Sequence, residues 1–473
     1  MLRASTTCEA AGFPSSSLVC EGFANLAGAA SIGLGMPNIP LALVPGHPNV
    51  QTKEELRRNI LGVTLEKVIA NLTADPAAAA GDQAEPAARE VIFRGGFDAV
   101  NRHFREHELS DGLPIVPPTR RKVEEFLRYT DRDADESLGN VLPDNRAATV
   151  WSIAVNGVMA GCRPEYMPVL VALIEAMADP KYGVEHSGNT PGGETLIILN
   201  GPIIKELGFN YTQGVMRDGF QPNTSVGRFW RLYLRNVAGF LPHKNDKATY
   251  GNNYRIVIAE NEDVLKRINW EPNSVEMGFA AGDNTVAIAR YTGGNLVGSV
   301  SGSTPEELLP YLADGVLRQI SWQLDFTLGP HGGTLRPLVL LSPILAETIA
   351  KAGWSKADVK RYLFEHARLP AWQFERMLRV WTLMPVWNLT EAAKAGEIPP
   401  VFHESDDPNR LVPLVWKPED FMIAVTGDLT RNNAYAFAHN GDLGYTVGKR
   451  IRLPKNWDRL VISYPPRAPI PLP

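Results

Sequence analysis

The chain has 473 residues, of which 44% are hydrophobic and 21% are charged, and its net charge is −5. This length exceeds one ordinary hydrophobic core, and the composition excludes a largely disordered protein. The slight negative charge argues against a large nucleic-acid-binding surface, and no apolar run reaches the roughly 18 residues of a membrane span. Three cysteines cannot form a disulfide framework, so we expect a cytoplasmic protein.

The first part of the chain predicts a small α/β domain. Residues 12–46 alternate short apolar runs with glycine and proline, which indicates a strand, a helix and a second strand. Residues 51–73 predict a helix with Thr52 as its N-cap. The domain covers 1–72 and is followed by a linker at 73–90. Because one βαβ unit is small for an independent sheet, we expect the large domain or another chain to supply a further strand.

Residues 91–473 predict a large α/β domain of mostly parallel strands flanked by helices. Two segments in it echo each other, TLIILNGPIIKELGFN at 195–210 and PLVLLSPILAETIAKAGW at 337–354. Each indicates a buried strand, a turn containing proline and a helix, so the domain has two related β-turn-α halves, with possible bounds 91–300 and 301–473. Further strands are predicted at 254–260, 284–290 and 421–427, with a last strand near 459–464.

Cys162 is the candidate nucleophile. It lies between two predicted helices, and Pro164 is placed where the second of them can begin. A thiolate there would face unpaired amide groups and the positive end of the helix dipole, so we expect the pKa of Cys162 to fall. Glu165 could act beside it as an acid or base. The alternative is a small buried thiol in a helix–helix turn.

The loop 182–194, YGVEHSGNTPGGE, precedes a buried strand and carries His186 and Thr190. Loops at strand ends of α/β sheets often bind ligands. We therefore take His186 as a second candidate acid or base and Thr190 as a substrate-binding candidate. The alternative for His186 is an ordinary surface histidine.

The stretch 219–261 is dense in polar side chains. Arg228, Arg231 and Arg235 have the spacing of one face of a helix that is predicted to begin near Thr224 or Ser225. Arg228 could bind a carboxylate or phosphate, and the alternative is a solvated basic helix face. The other substrate-binding candidates in this stretch are Asn223, Asn236, Lys247 and Asn261.

Two later segments carry further polar candidates. GPHGGT at 329–334 resembles an oxyanion-hole loop, without the Gly-x-Ser-x-Gly elbow that accompanies one, and makes His331 a substrate-binding candidate. The segment 426–442 follows a predicted strand and could close over a ligand. No recognised metal or cofactor motif occurs, so the sequence assigns no metal ligand and leaves the cofactor unknown.

The segment from Cys8 to Ile60 resembles the small domain of the UGSC-motif (seleno)protein family, named for a selenocysteine-Gly-Ser-Cys sequence. The large region is similar to a domain attached to it in some members. That similarity rests on DGLPIVPPT (111–119), VMAGCRPEYMPV (158–169), LNGPIIKELGFN (199–210), SVGRFWRLYLRNVAG (225–239), AENED (259–263) and LSPILAETIAKAGWSKADVKRYLFEHARLP (341–370). In the family the motif precedes the position of Cys8, and this sequence contains no Cys-Gly-Ser-Cys. The resemblance therefore implies either a lost redox motif or a separate small subunit that carries it and supplies the missing strand.

Three hypotheses about function follow. The first is an enzyme, the large subunit of a thiol- or selenol-dependent oxidoreductase or lyase acting on a small polar or anionic molecule. The second is a metal-dependent hydrolase, hydratase or lyase, in which His186, His331, His439 and either Glu260 or Asp442 converge. The third is a non-catalytic scaffold that completes the redox domain of a partner. A homo-oligomer is a further possible assembly, whereas nucleic acid and membrane are not expected partners.

Overall fold

A computed structural model describes residues 2–48, 51–77, 89–320, 325–328, 332–381, 388–440 and 444–461. Helices and strands are interspersed in them, which confirms the predicted α/β class. The strands are β1 (Ser17–Cys20), β2 (Leu41–Val44), β3 (Ser137–Val141), β4 (Arg146–Thr149), β5 (Glu194–Asn200), β6 (Val257–Ala259), β7 (Thr285–Val297), β8 (Leu338–Leu341), β9 (Arg368–Pro370), β10 (Leu411–Pro413), β11 (Met422–Val425), β12 (Ala434–His439) and β13 (Val447–Arg450).

The helices are α1 (Leu2–Ala10), α2 (Ala24–Gly33), α3 (Lys53–Asn59), α4 (Leu65–Thr73), α5 (Phe97–Glu106), α6 (Arg120–Leu127), α7 (Val150–Ala160), α8 (Met167–Met177), α9 (Ile203–Glu206), α10 (Gln221–Tyr233), α11 (Glu262–Ile268), α12 (Asn273–Glu276), α13 (Pro305–Ile320), α14 (Asp325–Leu328), α15 (Pro343–Lys351), α16 (Lys356–His366), α17 (Ala371–Trp381), α18 (Leu389–Lys394) and α19 (Trp457–Val461). Single π-helical turns join α3 to α4 and extend α10. No described helix combines the length and the apolar character that crossing a bilayer requires.

The N-terminal unit is built on two parallel strands, β1 and β2, connected through α2, as the sequence predicted. Thr52 caps α3 as expected: its hydroxyl accepts a hydrogen bond from the amide of Glu55, and the carboxylate of Glu55 accepts one from the amide of Thr52. Cys8 lies within α1, Leu2–Ala10. Within the described residues this small sheet has two strands, and a further strand from another chain stays a prediction.

The large region is organised around one curled mixed sheet in the order β11-β8-β12-β7-β5-β6, with β13 also paired to β7. β5 and β6 are parallel to each other, as are β8 and β11. β7 is antiparallel to β5, β12 and β13, and β12 is antiparallel to β8. The expectation of mostly parallel strands is therefore wrong for this sheet. A continuous apolar run shows that a strand is covered on both faces, but it does not show which way the strand runs.

The two echoing segments form equivalent units. β5 leads into α9 and is paired in parallel with β6, whereas β8 leads into α15 and is paired in parallel with β11. This arrangement confirms the two related β-turn-α halves. The strand predicted near 459–464 is wrong over its described part, because residues 457–461 form α19, whose buried Trp457 donates a hydrogen bond to Glu206 at 3.0 Å.

The curl brings the two end strands of the sheet together. The amide of Asn261, just after β6, donates to the carbonyl of Val425 in β11 at 2.7 Å, and the hydroxyl of Thr426 donates to the carbonyl of Ala259 at 2.8 Å. One apolar core fills the inside of the curl, and two larger cores lie outside it, beneath α7, α8 and α10 and beneath α13, α15 and α16.

Candidate functional site

A cavity of about 480 Å³ opens between the loop after α10 and the start of β6. Its wall carries four charged side chains, those of Arg231, Asp246, Lys247 and Arg255. The residues that line it are Arg231, Pro242, His243, Asp246, Lys247, Ala248, Tyr250, Gly251, Asn252, Asn253 and Arg255. Its volume is in the range of small-molecule sites, roughly 300–1,000 Å³.

Two loops are joined backbone to backbone at the cavity. The amide of Lys247 donates to the carbonyl of Gly188 at 2.9 Å, and the amide of Thr249 donates to the carbonyl of Thr190 at 3.0 Å. The amide of Asn252 donates to the carbonyl of Gly192 at 3.0 Å. The predicted ligand loop 182–194 is therefore attached directly to the loop that lines the cavity. Thr190 takes part through its carbonyl, to which the hydroxyl of Thr249 also donates.

Arg231 lies between two buried carboxylates. It donates to Asp246 at 2.7 Å, and its other terminal nitrogen lies 3.6 Å from Glu194 at the start of β5. Burial raises the pKa of Glu194 above its ordinary value, although the charge of Arg231 opposes this. Glu194 does not itself line the cavity, but a buried carboxyl with a raised pKa, paired with an arginine that does, is a candidate for proton transfer.

A second charged group adjoins the same wall. Arg228 binds Asp111 with two hydrogen bonds, at 2.9 and 2.8 Å, and Arg255 approaches the same carboxylate at 3.1 Å. Burial disfavours the ionised carboxylate, but the hydrogen bond and charge of Arg228 outweigh it and hold the pKa of Asp111 below its usual value. Arg228 thus binds Asp111 and does not line the cavity, whereas Arg255, like Arg231, does.

The charges around the cavity sum to a positive value. Arg228, Arg231, Lys247 and Arg255 carry four positive charges, whereas Asp111, Glu194 and Asp246 carry at most three negative ones. Lys247 forms no ion pair with the described residues, and the Nε of Arg255 has no hydrogen-bond partner among them. A ligand with an anionic oxygen group fits this arrangement.

Cys162 lies away from the cavity, in the turn after α7, and is buried. Burial raises the pKa of its thiol to about 12, and Ser225 and Arg228 oppose this only in part. The expected fall in pKa is therefore wrong: desolvation dominates, and the second helix begins only at Met167, after a 3₁₀ turn at Pro164–Tyr166. Glu165, the candidate acid or base, is also buried and is paired with Arg163.

His186 lies on a single 3₁₀ turn, Val184–His186, in the loop 182–194. The polar groups that act on the Cys162 thiol are Ser225, Arg228 and Tyr166, and His186 is not among them. His331 lies outside the described residues. The expected convergence of His186 with His331 thus stays a prediction.

Two of the candidate asparagines, Asn223 and Asn261, bind backbone groups, and a third, Asn236, binds a side chain. Asn223 donates to the carbonyls of Asn210 and Val257 and accepts from the amide of Asn210. Asn261 caps α11 by accepting from the amide of Val264, and Asn236 donates to Asn156 on α7. None of the three lines the cavity, whereas Lys247 does.

Two of the residues proposed as metal ligands, Glu260 and His439, lie toward opposite ends of β5. Glu260 directly follows β6, beside the C-terminal end of β5. His439 pairs with Tyr291 of β7, and Tyr291 pairs with Glu194, the first residue of β5, so His439 lies level with the N-terminal end of β5. Asp442 and His331 are outside the described residues. In the ranges that the structure covers, no group of three or more His, Cys, Asp or Glu side chains is arranged to hold a metal ion.

Sequence reasoning missed Glu194 and Arg255 at the cavity, and Arg290 beneath the loop. Arg290 is buried in β7 and donates to the carbonyls of Tyr182 and Gly183, at 3.1 and 2.8 Å. A signal for Glu194 was present, since it is a carboxylate directly before the apolar run TLIIL. A charged residue at the first position of a buried strand must find a partner or a ligand.

We also compared the chain with known proteins. No family model, no curated protein and no solved structure matches it. Its function is therefore argued from the cavity and the residues around it.

Proposed function

We propose that this chain is the substrate-binding part of an enzyme, an oxidoreductase or lyase, that acts on a small organic anion. The observation that carries the proposal is the cavity of about 480 Å³ whose wall holds Arg231, Lys247 and Arg255. The surrounding carboxylates leave part of that positive charge unbalanced. Guanidinium and ammonium groups that line an open cavity bind carboxylate or phosphate oxygens through charge-assisted hydrogen bonds.

Glu194 gives this site its candidate acid or base. Its raised pKa brings the carboxyl closer to neutral pH, where a group can both accept and release a proton. Arg231 separates Glu194 from the cavity, so a bound anion that drew Arg231 toward itself would also weaken the ion pair of Glu194. Anion binding and the proton affinity of Glu194 are thereby coupled.

The thiol or selenol of the proposed reaction is assigned to a partner rather than to Cys162. A buried thiol with a pKa of about 12 stays protonated near neutral pH, and the thiolate is the nucleophilic form. A separate small subunit carrying the motif, as the family resemblance implies, would bring its reactive group to the bound anion.

Isothermal titration with succinate and inorganic phosphate tests the proposal. Each of the variants Arg255→Gln and Lys247→Gln is expected to weaken binding about tenfold, because each removes one charged donor from the wall. Arg255→Gln leaves Asp111 paired with Arg228, so the fold is retained. The matched control is Arg267→Gln, which removes an exposed arginine paired with Glu347 elsewhere on the surface. Binding that neither cavity variant weakens would contradict the proposal, as would no binding at all.

A second candidate function is to hold a partner polypeptide. The observation that favours it is a stripe of apolar side chains at helical spacing on α4, Leu65, Ile69 and Leu72, which are 40%, 54% and 48% exposed. Light scattering tests this scaffold role by measuring the molar mass of the particle in solution, for the unsubstituted chain and for Ile69→Ser. Absence of any complex or self-association in the unsubstituted chain would argue against it.

A further inference from the structure

Tyr250 stands at the rim of the cavity with 98% of its surface exposed. A single exposed tyrosine is unremarkable on most surfaces. Here the residue lines a cationic cavity, and hydrogen bonds hold the backbone on both sides of it.

The backbone around Tyr250 is held by the neighbouring loop. Thr249 is tied to Thr190, and the side chain of Asn252 donates to the carbonyls of Gly192 and Thr292, at 3.1 and 2.6 Å. A Cβ on Gly192 would lie 2.8 Å from the amide nitrogen of Gly251, so glycine is needed for the loops to meet. The backbone is thus held on either side of a side chain that is almost fully exposed among the described residues, which leaves the ring face available to a ligand.

A second aromatic side chain approaches from the N-terminal unit. The ammonium of Lys247, which lines the cavity, lies 6.0 Å from the ring centre of Phe23, just after β1. The ring of Phe23 is in turn 6.2 Å from that of His47. A cation–π contact of this kind positions the ammonium without neutralising it. Lys247 therefore keeps its charge for an anion beside an aromatic surface.

We propose that the anion bound here also carries a flat aromatic or conjugated group, which stacks on Tyr250 while its carboxylate or phosphate is bound by Lys247 and Arg255. This inference rests on the proposed function and narrows its substrate class. The cavity volume agrees with it, because about 480 Å³ exceeds what a two- or three-carbon acid would fill.

The test compares two pairs of anions, and in each pair only one member carries an aromatic ring. Benzoate is titrated against cyclohexanecarboxylate, which has the same charge and ring size, and phenyl phosphate against inorganic phosphate. Tyr250→Ala is expected to weaken the two aromatic probes about 3- to 10-fold and to leave the others nearly unchanged. Tyr250→Phe keeps the ring and should keep the preference. Tyr311→Ala, which removes a half-exposed tyrosine on α13, is the control.

The outcomes separate this inference from the proposed function. Loss of the aromatic preference in Tyr250→Ala, with its retention in Tyr250→Phe, supports the inference. Equal binding of benzoate and cyclohexanecarboxylate, unchanged in Tyr250→Ala, overturns it and leaves anion binding intact. Failure of every probe to bind overturns both. A preference for phenyl phosphate over benzoate would place the ligand among aromatic phosphates, and the reverse among aromatic carboxylates.

Discussion

Burial decides the chemistry of Cys162. The thiol follows the C-terminal glycine of α7 and precedes a 3₁₀ turn, which would ordinarily favour a thiolate. It is enclosed in the core beneath α7 and α10, where removal from water costs the charged form more than the helix end returns. The structure therefore agrees with the alternative interpretation of Cys162, a small buried thiol in the turn between two helices.

We expect Cys162 to resist alkylation in the folded protein. Because its thiol has a pKa of about 12, iodoacetamide at pH 8 should label the exposed Cys8 and leave Cys162 unlabelled until denaturant is added. Peptide mass spectrometry of native and denatured samples gives the two extents of labelling. Rapid labelling of Cys162 in the native state would restore it as a nucleophile.

Glu194 and Asp111 are expected to change stability with pH in opposite directions. The pKa of Glu194 is raised, so the folded state binds its proton more tightly than the unfolded state does. Its ionisation therefore lowers the free energy of unfolding as pH rises above the ordinary value of 4.5, and Glu194→Gln should lose this dependence. The pKa of Asp111 is lowered, so its contribution is present above 3.8 and is lost as pH falls below that value.

Urea denaturation of the unsubstituted chain, Glu194→Gln and Asp111→Asn between pH 3 and pH 8 measures both effects. From pH 4 to pH 8 the unsubstituted chain should lose stability relative to Glu194→Gln, and below pH 4 it should lose stability relative to Asp111→Asn. Parallel pH profiles for all three proteins would show that neither carboxyl has the assigned environment.

Gly192 and Gly251 allow the loops that form the cavity to approach each other. Gly192 has φ +72°, and a Cβ there would meet the backbone of Gly251. Gly396, at the end of α18, has a similar φ of +74° but open space around its Cα. A side chain at Gly192 or at Gly396 would have the same energetic cost of a left-handed backbone conformation. Only at Gly192 would it also collide with a neighbouring backbone segment.

We expect Gly396→Ala to cost about 1–2 kcal/mol of stability and to leave anion binding unchanged. Gly192→Ala should cost more than this and should also weaken succinate binding, since the loops carrying Lys247 and Tyr250 must separate. Thermal denaturation and titration of the two variants side by side make the comparison. Equal effects of the two substitutions on binding would mean that the close approach does not shape the cavity.

Local signals made some elements predictable and hid others. Thr52 was predictable as an N-cap because its partner, Glu55, is three residues away. The units starting at β5 and β8 were predictable from their repeated pattern. The direction of β7 and the pairing of Arg231 with Asp246 and Glu194 depend on residues distant in the chain, on which local periodicity carries no information. The cavity was missed for the same reason, although one of its loops and Lys247 were identified.

The whole molecule depends on the link between β6 and β11. Glu260 accepts hydrogen bonds from Asn200, from Asn273 and from the amide of Val425, and the buried ammonium of Lys356 lies 3.7 Å away. A single carboxylate thereby joins the two β-turn-α units at the closed end of the sheet.

We expect Glu260→Ala to lower the free energy of unfolding by about 3 kcal/mol or more, because it leaves buried donors and a buried ammonium without their acceptor. Glu347→Ala removes a partly exposed partner of Arg267 and should cost less than about 1 kcal/mol. Urea denaturation of both variants gives the two values. A loss at Glu260 no greater than that at Glu347 would mean that the link is not needed for stability.

The position of β7 has a consequence for the synthesis of the chain. The first half of β7 pairs with β13 and its second half with β12. Ile288 therefore has no pairing partner on this side until Val447 has been synthesised. As the chain leaves the ribosome, β5, β6 and β7 emerge long before either of these strands, and one edge of β7 stays open meanwhile. An open apolar edge is a template for aggregation, and pairing over such a separation is slow. Nascent chains that end before Val447 are therefore expected to need chaperone protection, which full-length chains no longer require once β13 has closed the edge.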